Sequence, residues 1–190
     1  DYWGGPACFD KVVMKVVPDA SQRALLLQEG SVDIAMDLTV DQVASLRGKE
    51  GIQILSESSR DVVLMGLGNN MEPFDNMKAR QALSYAAPYE SIVNDVLQGF
   101  AVPSTSSFAQ MAIYHSPDFW PYSTDTDKAK ALLAEAGYPD GFEFTLAIPA
   151  GDAEIEGVAV VLQDAFRDVG IDMDIDIMAA GPFSDGLWGR

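Results

Sequence analysis

Three carboxylates crowd one short stretch of this chain, where Asp152, Glu154 and Glu156 follow directly on Pro149-Ala150-Gly151. Acidic groups at this spacing can move protons as an acid–base pair, meet a cationic group, or stabilise the open amides and dipole of a first helical turn. The last effect is worth about 0.3 to 1 kcal/mol per residue at a surface. Phe142, Phe144, Leu146 and Ile148 alternate ahead of the cluster, and Ile155, Val158, Leu162, Ala165, Phe166 and Val169 follow at helical spacing. The carboxylates therefore sit where a strand ends and a helix begins. Crevices at the carboxyl ends of parallel strands are where α/β sheets hold ligands, so Asp152 is a candidate contact for a cationic group. A hydrolase using Asp152 and Glu154 is the catalytic alternative.

Other constellations fall short of a chemistry. Asp172, Asp174 and Asp176 begin like a calcium loop, but position 177 is Ile rather than Gly and position 183 is Phe rather than Glu. The same alternation reads more simply as a solvated strand face whose charges discourage edge pairing. His115 is the single histidine and Cys8 the single cysteine, so neither a His-rich metal site nor an internal disulfide can form. No Gly-x-Ser-x-Gly elbow and no phosphate-binding glycine loop occurs. Tyr114, Phe119, Trp120 and Tyr122 could stack on a ligand or cover a sheet. The sequence calls for no metal and no cofactor.

Twelve basic residues against 29 acidic ones give a formal charge of −17. Such a chain repels polyanions, which excludes nucleic acid as a partner. The acidity suits cationic solutes, solubility or a saline habitat, and also an acidic interaction module that docks on a basic partner. With 48% hydrophobic and 22% charged residues and no run of 18 apolar residues, the composition is that of a globular chain without a membrane-spanning helix. No leader segment opens it, so either the protein is cytosolic or its beginning is missing.

The elements that must position these residues are legible as hydrophobic periods. Val12–Val17, Val32–Ala35 and Ile52–Leu55 read as strands. A helix follows Pro18, with Asp19 as its cap and Gly30 at its end, and a short one spans Val40 to Leu46. Val62 to Gly68 reads as a buried strand interrupted by Gly66 and Gly68. Ala79, Ala82, Leu83 and Ala86 mark one helix face, and Pro88 is expected as the first residue of a further helix through Leu97. A long proline-bearing connection, 101–126, precedes a helix over Asp127–Ala136. The closing strand, helix and strand predict a βαβ unit in a parallel sheet. The fold class is α/β or mixed α+β.

Several blocks, in this order, resemble the extracytoplasmic solute-binding proteins of peptide and nickel ABC importers (family 5). They are Asp1-Tyr2-Trp3-Gly4-Gly5, Val17-Pro18-Asp19-Ala20-Ser21-Gln22-Arg23, Gly30-Ser31-Val32-Asp33-Ile34, the run from Pro73 to Ala86, and Asp127 to Tyr138. The resemblance implies an internal piece of a two-lobed periplasmic-binding-protein-like fold. Residues 1–62 would be the later part of lobe I and 63–190 part of lobe II, with a hinge near 65–70 at Met65, Gly66 and Gly68. It implies no enzymatic turnover, a periplasmic or cell-surface location, an ABC permease in the membrane as partner, and a small solute as cargo: a peptide, a nickel complex, an opine or a cationic compound.

Two departures from the family pattern matter. In peptide-binding relatives the segment matching Pro149-Ala150-Gly151-Asp152 can carry a basic residue for the ligand carboxylate, and here it is acidic. Ala87-Pro88 stands where relatives usually place an Asp cap. Asn69, Gly151, Asp152 and Phe183 are the cleft neighbours that the resemblance implies.

Overall fold

A parallel pair of strands is the only sheet among the described residues, which in this computed structural model are 5–188 apart from 7, 58 and 60. The chain divides into two units, Asp1–Ile54 and Leu55–Arg190. The Asp-Tyr-Trp-Gly-Gly block lies outside the described residues except for Gly5.

In the second unit β1 (Glu143–Pro149) pairs with β2 (Asp172–Met178), Glu143 opposite Asp172 and Pro149 opposite Met178. The period of two puts Phe144, Leu146 and Ile148 with Met173, Ile175 and Ile177 on one face, and Glu143 and Thr145 with the three aspartates on the other. Helix α6 (Ala153–Arg167) is the crossover, so the βαβ expectation holds. It buries Ala159, Leu162 and Phe166, and its Gln163 Nε2 donates to Met173 O at 2.6 Å. Both strands enter through glycine: Gly141 and Gly170 have φ of 83° and 91°, and a Cβ on Gly141 would stand 1.7 Å from Gly170 O. No side chain fits between two backbones that close.

The run from Pro73 to Ala86 proves to be a structural joint. Phe74 is buried edge-on against Phe142 and Phe144, at 5.9 and 5.2 Å between ring centres. Asn76 caps helix α3 (Met77–Ala86) by accepting from Lys78 N at 2.9 Å, while its Nδ2 donates to Ala136 O. Arg80 Nη1 donates back to Phe74 O at 2.6 Å. The four predicted apolar positions of α3 are all buried. Facing it is α5 (Thr126–Glu135), which buries Ala129 and Leu133 and ends in Gly137 at φ 93°. Tyr138 N–H reaches Leu133 O and Gly137 N–H reaches Ala134 O, the pair of bonds that closes a helix on a left-handed glycine.

The helix expected from Pro88 differs in two ways. Pro88 occupies the cap, with φ −89° and ψ 71°, rather than the first helical position. After one turn, α4 (Tyr89–Ser91), the chain widens into a π-helix over Ile92–Val96. The expected 101–126 connection ends one residue earlier, since Thr126 opens α5, and its one helical element is a 3₁₀ turn, Pro117–Phe119. Helix α7 (Ala180–Trp188) closes the unit.

The first unit contains α1 (Ala20–Gln28) and α2 (Val40–Leu46). Asp19 Oδ1 accepts from Gln22 N at 2.7 Å and Gly30 takes φ 69°, as its spacing requires. The segments expected as strands, Val12–Val17, Val32–Ala35 and Ile52–Leu55, are irregular instead, as is Val62–Gly68 of the second unit. A strand is defined by its ladder, and no described backbone pairs with these segments. In the first of them Met14 and Val16 are 89% and 90% exposed.

Candidate functional site

Asp152 owes its place to the end of β1. Ala150 N–H donates to Met178 O at 2.8 Å, which ties the exit of β1 to that of β2, and Gly151 then turns the chain with φ 90°. Asp152 follows in extended geometry as the cap of α6, its Oδ1 accepting from Glu154 N at 3.1 Å and Ile155 N at 3.0 Å. Glu156 Oε1 accepts from Gly151 N at 3.3 Å. At least two of the three clustered carboxylates therefore serve the first turn of a 15-residue helix, where open amides and the positive dipole end favour them.

Phe183, half-buried in the first turn of α7, comes to the same end of the sheet, because α7 starts two residues after β2 stops. Gly151, Asp152 and Phe183 thus share the carboxyl edge of the two parallel strands, the position at which open α/β sheets receive ligands. Asn69 is placed differently. It lies in the turn that Met71 N–H closes on Gly68 O, and no described hydrogen bond joins it to that edge. Met65 pack against the core of the second unit, as does Leu67, while Gly66 and Gly68 take no left-handed φ.

The edge is electrostatically one-sided. Between residues 131 and 188 the one basic side chain is Arg167, at the far end of α6 and bound to Asp164 at 2.8 Å. A solute carboxylate at the edge would find no guanidinium or ammonium from this stretch. No described group of three or more His, Cys, Asp or Glu side chains is arranged to hold a metal. One oxygen of the Asp152 carboxylate is engaged by two amides, the arrangement of a helix N-cap. Two open depressions lie elsewhere: one of about 360 Å³ beside Gln28 and Lys49 in the first unit, and one of about 260 Å³ on the acidic strand face at Glu143, Asp172 and Asp174.

The aromatics that could have stacked on a ligand divide. Trp120 and Tyr122 meet at 5.0 Å, and Tyr122 meets Tyr85 of α3 at 5.0 Å, so this pair covers a helix. Trp120 Nε1 donates to Tyr89 Oη, which itself donates to Ser84 O at 2.8 Å, and burial holds the Tyr89 phenol above its ordinary pKa of 10. Lys128 Nζ sits 4.0 Å from the Tyr85 ring centre and bonds its hydroxyl. Tyr114 and Phe119 remain largely exposed. His115 stays within its own loop, with Nδ1 on Phe108 O at 3.0 Å.

Sequence reasoning missed a dense polar arrangement in the first unit. Arg23 donates to four main-chain carbonyls, Val17 at 2.7 Å, Pro18 at 2.8 Å, Met36 at 3.1 Å and Asp37 at 2.6 Å. The block holding Arg23 was legible, but its acceptors, up to 14 residues away, carry no side-chain signature.

The model of the bacterial extracellular solute-binding proteins, family 5, matches residues 1–186. Heme-binding protein A of Haemophilus influenzae is 35% identical over 75% of this chain and 26% of its own length. The glutathione-binding protein GsiB of Salmonella typhimurium is 32% identical over 95% of the chain and 35% of its own length. Among solved structures, the periplasmic binding protein DppA of Helicobacter pylori in complex with the peptide STSA superimposes with a TM-score of 0.79 at 28% identity, covering 96% of this chain and 35% of that one. HbpA2 of Haemophilus parasuis gives 0.79 at 27% identity, over 98% and 38%. The chain spans about a quarter to two fifths of the length of the relatives named here.

Proposed function

The chain belongs to the bacterial extracellular solute-binding proteins of family 5, and from that premise we propose that it is part of a receptor that captures a small solute and delivers it to an ABC permease. The observation that carries the reading is the family match over 1–186. Receptors of this kind need no covalent step. Closure of two lobes buries the solute, and binding shifts the population toward the closed form that a permease distinguishes.

In this reading residues 1–62 contribute to lobe I and 63–190 to lobe II, with the hinge at Met65, Gly66 and Gly68, and the receptor works outside the cytoplasm. Gly151, Asp152 and Phe183 face the solute from the carboxyl edge, with Asn69 as a further neighbour. The relatives named above are described as binding heme, glutathione and a peptide, so the solute class is a compact organic molecule of that range. The acidic edge favours a solute that turns a cationic or neutral group toward lobe II, where peptide-binding relatives can present a basic residue.

Native mass spectrometry of the protein purified from its source, compared with denaturing mass, tests the proposal. A small molecule released on denaturation, whose affinity falls at least tenfold when Phe183 is replaced by Ala, is the expected result. Turnover of any solute by the purified protein, or a ligand that binds equally well to the Phe183→Ala and Gly151→Val variants, would count against it.

A further inference from the structure

Two features of the second unit each run against local propensity. Over Ile92–Val96 the helix is of the wide π form, in which Leu97 N–H reaches Ile92 O at 3.0 Å, and Gln98 follows with φ 48°. π-turns are rare in globular proteins and recur at functional sites. Gly157 stands fifth in α6, in a helix interior where glycine is less favourable than alanine. The two features meet in space. A Cβ on Gly157 would lie 3.0 Å from Val96 Cγ1, tighter than an ordinary packed contact.

Each feature accounts for the other: the wide turn brings Val96 onto α6, and the missing side chain receives it. The contact falls one residue beyond Glu156, whose carboxylate holds Gly151 N–H, and one turn beyond Asp152, whose carboxylate holds the amides of Glu154 and Ile155. We propose that Val96, seated in the gap at Gly157, sets where the first turn of α6 stands, so that Val96 and Gly157 are positioning residues of the carboxyl-edge site. The site's part in solute capture rests on the function proposed above; the coupling between the π-turn and α6 does not.

The test is a set of three variants of the chain as it stands, Gly157→Ala, Val96→Ala and the double variant. Each is read by thermal midpoint and by the ¹⁵N–¹H resonances of Gly151, Glu154 and Ile155. With Val96 present, Gly157→Ala is expected to lower the midpoint and move the three amides. With Ala at 96, the same change is expected to raise the midpoint, since alanine is the better helix former, and to leave the amides where Val96→Ala has them. If Gly157→Ala raises the midpoint equally in both backgrounds, or if Val96→Ala leaves the three amides unmoved, the proposal is overturned. Should Gly157→Ala alone fail to fold while the double variant folds, the coupling stands and Val96→Ala supplies the positional readout. The two proposals are tested separately: native mass spectrometry of the protein from its source decides the receptor reading, while the amide resonances decide the coupling.

Discussion

The two units of this chain are ordered by different means. The second buries a continuous cluster in which Phe166 and Met173 are wholly removed from solvent, together with Leu83, Leu133 and Ile171. In the first, the buried apolar side chains among the described residues are Ala24 and Leu46. What binds the first unit is polar. Arg23 collects four carbonyls from two segments, Gln42 Nε2 donates to Ser21 Oγ, Thr39 and Gln42 form a reciprocal cap, and Lys49 Nζ bonds Gln28 Oε1. A hydrophobic cluster gains roughly 25 cal/mol for each Å² it hides and tolerates local variation, whereas a guanidinium clamp depends on one planar group with several fixed donors. The lesson is that similar family blocks can act through opposite physics, Phe74 and Arg80 locking onto a core, Arg23 substituting for one.

This contrast can be broken most severely at Phe166. Truncation to Ala removes a fully buried ring and is expected to cost about 3 to 5 kcal/mol. Hydrogen exchange should then show lost protection in α3, α5 and α6 while α1 and α2 keep theirs. Uniform loss across both units would mean that they do not differ as described.

Arg23→Ala sharpens the comparison from the other side. Freeing carbonyls from a charged donor is expected to cost about 2 to 3 kcal/mol, felt as faster exchange at residues 17–19 and 36–43 with the second unit unchanged. Arg23→Lys should restore less than half of that protection, because an ammonium cannot span both segments with a planar fork. Full protection in the Lys variant would reduce the clamp to a simple charge.

The smallest expected effect is at Tyr89, where the second unit uses a polar bond of its own. Tyr89→Phe should cost about 1 to 2 kcal/mol near neutrality, since it removes both the bond to Ser84 O and the one from Trp120 Nε1. The wild-type phenol is held above its ordinary pKa of 10 chiefly by burial, so above that pH the unfolded chain loses this proton while the folded one keeps it. The unfolded state then binds fewer protons, and stability falls as pH rises. The difference in stability between wild type and Tyr89→Phe should therefore shrink from about pH 10 upward in denaturant titrations. A constant difference would show that the phenol ionises alike in both states.

Much of the second unit was legible in advance because its elements pair with neighbours in sequence. Alternation in Phe142–Ile148 and Ile171–Ile177, with a helical period between, specifies a crossover and two parallel strands, and glycine follows α5 where the period ends. The N-terminal segments carried a local strand signal too, β-branched residues in Val12–Val17 and alternation in Ile52–Leu55, but a strand needs a partner that local pattern cannot supply. Pro88 was misplaced by one position because proline fits both a cap and a first turn. The π-turn was invisible, since Ile92, Val93 and Val96 suit an α-helix as well.

At the candidate site, sequence alone determined that carboxylates cluster between a strand and a helix, that no catalytic motif accompanies them, and that a basic residue is missing from the stretch. These follow from residue identity and spacing. Only tertiary structure decided that Asp152 gives its carboxylate to the amides of Glu154 and Ile155, that Phe183 shares its edge while Asn69 lies in a separate turn, and that Val96 fills the space at Gly157. Those outcomes depend on which backbones approach one another, and approach is set by packing across tens of residues rather than by any local pattern.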